Sequence, residues 1–310
     1  MDFFVDAFSS AQEGLFESLI QPAMFALGLG NLLVEGYAAT GWLLAGVLQL
    51  LVLVAVIGPL QRWRPVQGTM NPAEVRTDVL YTVIHRLGLF RLGMFFALGP
   101  WIDQGFGALR VAGWSTFQLD ALWPGVTDQA LVSLVIYLVV FDLLNYWMHR
   151  GQHHFEWWWQ LHSLHHAQRD VTMWSDNRNH LLDDVIREIF VVVLAKLIGI
   201  APSQYVAVVA LTQLSESFQH ANVRIWFGRF GERLWVSPRF HRLHHSIGIG
   251  HDHPNFGVLL PWWDMLFGTA NFELRFDATG VRDQVEQGRD YGQGFWAQQW
   301  LGLKRLAGRA

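Results

Sequence analysis

Apolar residues run unbroken along several stretches of this chain, and polar positions interrupt them at a few telling places. Residues 42–60, "WLLAGVLQLLVLVAVIGPL", carry no charge over 19 positions. That is about the length of helix that crosses the hydrocarbon core of a bilayer, so a membrane span is predicted there. Residues 18–34 are also uncharged, but two glycines and Pro22 leave a short span or an interfacial helix equally open. Residues 78–102 are apolar apart from a few polar positions such as His85, Arg86 and Arg91, which are expected to face protein or snorkel towards headgroups. Residues 130–148 are apolar except at a few positions, Asp142 and Asn145 among them. Residues 197–215 are uncharged but contain Pro202, so 186–217 reads as a hairpin that enters the bilayer without forming two clean spans.

The pattern predicts an all-α protein, a polytopic transmembrane helical bundle, in three parts. Residues 1–128 form a transmembrane helical region, 129–272 hold 13 of the 14 histidines, and 273–310 form a more charged tail. The tail ends in the amphipathic "FWAQQWLGLKRLAGR", suited to a membrane surface. Composition agrees: only 15% of residues are charged, against roughly 25% in soluble domains. The acidic "MDFFVDAFSSAQEGLFE" lacks the basic start of a secretory signal. Basic "QRWRP" and "HRGQ" follow the spans at 42–60 and 130–148, which assigns both ends, and the histidine-rich segments with them, to the cytoplasmic side. Sixteen tryptophans suit an interfacial belt, with ordinary core filling as the alternative. A net charge of −4 gives no basic surface for nucleic acid.

The chain has no cysteine, which excludes disulfides, thiolate catalysis and iron–sulfur clusters, so any metal must be held by nitrogen and oxygen. "HRGQHHFEWWWQLHSLHHAQRD" puts six histidines within 18 residues. His149 and His153 are four apart; His162, His165 and His166 form H-x-x-H-H, and His241, His244 and His245 repeat it. Positions i, i+3 and i+4 share one helical face, so each box is expected to present its rings in one direction. One tetrahedral metal takes about four ligands, and eight imidazoles therefore suggest two metals. A solvated histidine-rich surface or satisfied core histidines would be the alternative, but the repeated box speaks against both. Imidazole suits zinc, copper, iron and nickel alike. There is no H-E-x-x-H and no E-x-x-H, which argues against a zincin and against the usual carboxylate di-iron bundle.

"DLLNYWMHRGQH", "LHSLHH", "SPRFHRLHHS" and "HPNFGVLLPWWDMLFGT" closely resemble the fatty acid hydroxylase/sterol desaturase superfamily of integral-membrane, non-haem di-iron enzymes, over roughly residues 130–269. The resemblance implies that His149, His153, His162, His165, His166, His241, His244 and His245 are metal ligands. It also places a further histidine between the second and third boxes; His220 fits that position, and His180 is a weaker candidate. His154, His251 and His253 fall outside the boxes and are expected in solvated loops, and His85 is expected to be a span-interior hydrogen-bonder. Ligating imidazoles usually donate their other N–H to a carboxylate or carbonyl. Asp142, two turns before His149, and Glu216, four before His220, are the foremost candidates, with Asp183, Asp184, Asp252 and Asp264 as others.

The implied activity is O2-dependent hydroxylation or desaturation of a lipid C–H bond (sterol, fatty acyl or alkyl lipid) at two iron ions, with zinc able to substitute in purified samples. A non-redox zinc-dependent membrane hydrolase or metal-handling protein is the alternative. No flavin-type G-x-G-x-x-G or haem-binding module is visible, so a separate electron-donor protein is expected. The expected setting is a multi-pass place in a bacterial inner membrane rather than the endoplasmic reticulum, with the catalytic side cytoplasmic.

Overall fold

The protein is described by a computed structural model covering residues 2–68, 70–247 and 254–309; His251, Asp252 and His253 lie outside the described residues. Helix is the only regular element among those residues, with no strand and one isolated bridge between Ser246 and Thr279. Helix α1 (Asp2–Leu15) leads into a second helical stretch, α2 (Gly30–Trp63), which contains the apolar run at 42–60. At 1.5 Å per residue the 34 residues of α2 reach about 50 Å, more than the hydrocarbon thickness requires. Among the described residues two helices are long and apolar enough to cross a membrane, α2 and the helix Ala130–His154, and the bent pair Pro72–Arg86 and Leu89–Ala97 would add a third as one broken span. Val47, Leu48, Leu51, Val54 and Val56 of α2 stay exposed, a surface for lipid rather than water.

Proline shapes this first region. Two π-turns, Phe16–Ile20 and Leu53–Ile57, stand immediately before Pro22 and Pro59. A proline ring clashes with the carbonyl four residues back and supplies no N–H. In both places the ladder widens by one residue instead of breaking: Gln21 N–H donates to Phe16 O, and Gly58 N–H to Leu53 O. Helices α3 (Pro72–Arg86) and α4 (Leu89–Ala97) then bend by 52° at Gly88, whose φ of +77° suits a residue without a side chain. This is the stretch read from sequence as apolar with embedded His85, Arg86 and Arg91. α2 and α3 meet closely at Gly46, where a Cβ would lie 1.6 Å from the Arg86 carbonyl.

After α5 (Gly99–Val111), α6 (Ala130–His154) carries its apolar run up to His149 and His153 in its last turns. Phe155 is extended, and α7 (Glu156–His166) turns back against α6. Helices α8 (Leu181–Ile198) and α9 (Pro202–His220) form the hairpin expected around 186–217, with Gly199 left-handed at the end of one and Pro202 opening the other. Short α10 (Pro238–His244), α11 (Trp262–Phe267) and the C-terminal α12 (Phe295–Leu306) complete the fold. α12 packs on α7, while Trp296 and Trp300 remain exposed on its other side. Buried polar groups tie α3 to the segment after α7: Asp78 accepts from Ser175 and Arg178, and Arg86 pairs with Asp176 and donates to Ser217.

Candidate metal centre

The fold delivers nine histidines from α6, α7, α9 and α10 into one buried region. His149, His153, His162 and His166 form one group, and His165, His220, His241 and His245 a second, with the ring nitrogens of each group within 4.8 Å of one another. The His244 Nε2 lies 3.2 Å from His166 Nε2, which places His244 against the first group. The groups abut, since the rings of His166 and His245 stack with centroids 4.3 Å apart.

Each H-x-x-H-H box therefore divides between the groups rather than pointing one way. His162 and His166 serve the first group and His165 the second; His241 and His245 serve the second while His244 faces the first. The cause is helical geometry. At 100° per residue, position i+4 lies about 40° from i on one side and i+3 about 60° on the other, so the two diverge by about 100°.

The hydrogen bonds fix ring tautomers. Nδ1–H of His149 donates to Phe256 O (2.9 Å), that of His244 to Pro254 O (2.8 Å), and that of His220 to Glu216 O (2.8 Å). His162 Nδ1–H donates to the Asp183 carboxylate (3.1 Å), which also accepts from Gln152 and Trp158. In all four rings Nε2 is left as the lone-pair nitrogen. His220 Nε2 stands 3.1 Å from His165 Nε2 and 3.0 Å from His241 Nε2, which in turn is 3.1 Å from His245 Nε2. Nε2 atoms facing one another at that distance either share a proton in an N–H···N bond or surround a cation. A metal–nitrogen bond of about 2.0–2.1 Å would set neighbouring nitrogens about 2.9 Å apart in an octahedron and about 3.3 Å apart in a tetrahedron, so the donor set fits a metal without choosing one. His162 Nε2 is buried and has no hydrogen-bond partner among the described residues, as a ligand atom facing a metal would be. Burial and, next, the neighbouring rings hold His165, His166, His241 and His245 well below the usual imidazole range. Burial likewise lowers His220. They are neutral near pH 7, the form that binds metal.

Other expected residues fall elsewhere. His180 is not in either group: its Nδ1 caps α8 by accepting from Leu182 N–H, and its Nε2–H donates to Gln299 O (2.9 Å), anchoring α12. His154 is exposed, and His85 bonds Asp184 (3.1 Å) and Tyr81 O (2.9 Å). Glu216 supports His220 through its backbone carbonyl, while its carboxylate faces Arg187 at 3.9 Å. Asp142 is bonded to no histidine among the described residues; it accepts from Leu259 N–H, Leu260 N–H and Trp263 Nε1–H. Asp264 accepts from Phe256 N–H and Gly257 N–H. Both carboxylates thus set the loop whose Pro254 and Phe256 carbonyls hold His244 and His149. Asn255, left-handed at φ +67°, locks that loop by donating to Phe240 O and Asn271 O and accepting from Asn271 N–H. Gln152, Trp158 and Asn255 were not distinguishable as site residues by residue type, because their roles depend on contacts far away in sequence.

A buried, all-histidine donor set at the end of apolar helices defines the class: a membrane metalloprotein. Residues 134–269 match the family model described as fatty acid hydroxylase. The chain is 25% identical over 284 residues to an ornithine lipid hydroxylase of Rhizobium tropici, covering 90% of this chain and 83% of that one. It is 26% identical over 170 residues to a Delta(7)-sterol 5(6)-desaturase of Aspergillus fumigatus, covering 48% of this chain and 50% of that protein. It is 30% identical over 132 residues to the alkylglycerol monooxygenase of Homo sapiens, covering 43% and 29%. No solved structure matches the chain. Residues 134–269 thus carry a fatty acid hydroxylase match, and the chain is similar to members of the fatty acid hydroxylase/sterol desaturase superfamily.

Proposed function

We propose that this protein is a membrane-bound non-haem di-iron oxidoreductase that uses O2 to hydroxylate or desaturate a lipid C–H bond. The observation that carries the reading is the pair of abutting groups formed by His149, His153, His162, His166 and His244 and by His165, His220, His241 and His245. Iron bound there would supply the activation of O2 and the oxidation of an unactivated C–H bond. The chain's own groups fix ring tautomers through Asp183 and the carbonyls of Glu216, Pro254 and Phe256, and keep bulk water out by burial. In hydroxylation one oxygen atom enters the C–H bond and the other leaves as water, taking up two electrons and two protons from a separate donor protein.

In this reading residues 1–128 form the membrane region, 129–272 the catalytic domain and 273–310 a tail at the membrane surface. The protein is a multi-pass protein of a bacterial inner membrane with its histidines on the cytoplasmic side. The relatives' names support a lipid substrate. The test is metal analysis of protein loaded with iron, with O2 consumption and mass spectrometry of lipids from cells with and without the protein. Two irons per chain and a lipid gaining one oxygen or losing two hydrogens are expected. Zinc alone with no O2 uptake would favour a hydrolytic or metal-handling protein, and one metal per chain would remove the di-metal mechanism.

A further inference from the structure

A cavity of about 120 Å³ lies between α6, α8, α9 and the 176–179 segment. A smaller one sits against the metal centre, walled by His149, His162, His165, His220 and His241. Asn145, Asp176, Asn179, Arg187 and Glu216 line both, so they stand at the passage from one to the other. Phe141, Val191, Val208 and Val209 make an apolar wall in the larger cavity. The metal-proximal end is polar and the outer end partly apolar.

Most ionic groups around the cavity are satisfied by each other. Arg91 pairs with Glu188 at 2.8 Å, His85 with Asp184 at 3.1 Å, and Arg86 with Asp176 at 2.5 Å. Arg187 and Glu216 differ. Their side chains face each other at 3.9 Å, too far for a hydrogen bond, and neither makes one elsewhere among the described residues. Both are half-buried. Beside them Asn145, only 9% exposed and one turn before His149, has an amide with no hydrogen-bond partner among the described residues. A guanidinium, a carboxylate and an amide are thus held open at the throat. An apolar ring or alkyl chain seated there would leave the Asn145 amide without a hydrogen bond and the Arg187–Glu216 pair with only its long contact.

We propose that this throat is a headgroup site for a lipid carrying both an anionic and a cationic group, which enters with its polar end towards the metal centre. Arg187 receives the anionic group, Glu216 the cationic group, and Asn145 hydrogen-bonds between them, while the attached chain lies along the apolar wall. The assignment of this lipid as substrate rests on the proposed lipid oxidation; the binding preference does not. Oxidation would then fall on the headgroup or the carbons next to it rather than on a distal chain carbon.

The test uses the full-length, metal-loaded protein in nonionic detergent. Calorimetric titration compares dioctanoyl phosphatidylethanolamine with dioctanoylglycerol, which shares the chains and lacks the charges. The zwitterionic lipid should bind at least about tenfold more tightly, and Arg187→Gln and Glu216→Gln should each cost about tenfold, the scale of a charged hydrogen bond. Dioctanoylglycerol affinity and bound metal should not change in either variant, which separates lost recognition from misfolding. The exchanged variant Arg187→Glu with Glu216→Arg should recover part of the preference. Equal wild-type affinity for the two lipids, or equal losses for both in the variants, would overturn the proposal. Because no turnover is needed, a protein that discriminates between these lipids but oxidises none would retire the proposed reaction and leave the headgroup site standing.

Discussion

Asp183 is the carboxylate on which His162 depends. Burial pushes its acidity towards the neutral form, but the hydrogen bond from His162, together with the Arg187 charge and the Gln152 amide, outweighs that and holds the carboxyl below its usual range. It accepts from His162, Gln152 and Trp158 together. Asp183→Asn turns one acceptor oxygen into a donor and must break part of this set. Metal affinity, read by chelator competition, should fall about 10- to 100-fold, as is usual when a ligand's hydrogen-bond partner is lost. His154→Ala should leave bound metal unchanged, since that ring is exposed on the far side of the helix from His149 and His153. Equal damage from the two would mean that neither the Asp183 contact nor the grouping of rings decides metal retention.

At the scale of the element, the last helix packs on α7 and makes a further close approach to the centre's scaffold. A Cβ at Gly302 of α12 would come 2.3 Å from the His180 ring, whose Nε2–H holds Gln299 O in the same helix. His180 also caps α8, the helix that begins with Asp183 and Asp184 in its first turn. Gly302→Val should therefore lift α12 or tilt the His180 ring, costing about 1–3 kcal/mol as overpacking does. The check is a lowered midpoint in thermal unfolding with two metals still bound before the transition. An unchanged midpoint would show that α12 is not docked in this way.

Across the whole molecule, proton and metal compete for the same rings. The folded chain holds His165, His166, His241 and His245 below their usual range, so between there and about pH 6.5 the unfolded chain binds more protons. Stability of the metal-free protein should be fully present above about pH 7 and fall as pH drops through 6.5, by up to about 1.4 kcal/mol per pH unit for each ring. Metal should shift the fall to lower pH; denaturation midpoints between pH 5 and 8, with and without iron, give the comparison. A profile flat over that range would mean that the rings are solvated. Topology belongs to this scale too. Cysteines placed singly at Gly125 and Trp157 should label from opposite sides of the membrane, because α6 lies between them. Labelling from one side would deny α6 a crossing.

Much of this was fixed by local pattern. The uncharged run at 42–60, the apolar run ending at His149, the hairpin around Pro202 and the two H-x-x-H-H boxes follow from hydrophobicity and 3.6-residue periodicity, which neighbouring residues decide among themselves. The proposed metal-ligand chemistry was suggested by eight imidazoles at helical spacing, without cysteine, which leave few other uses. Only the tertiary structure decided how the boxes share two groups, since that depends on where α6, α7, α9 and α10 converge. It also put His220 in one group and His180 outside both, beside Gln299 some 119 positions away. The support for the rings came from Asp183 and from backbone carbonyls of a loop set by Asp142, Asp264 and Asn255. A hydrogen-bond acceptor on the main chain has no residue type, and contacts across a hundred positions leave no local period, so neither could be read before the chain was folded.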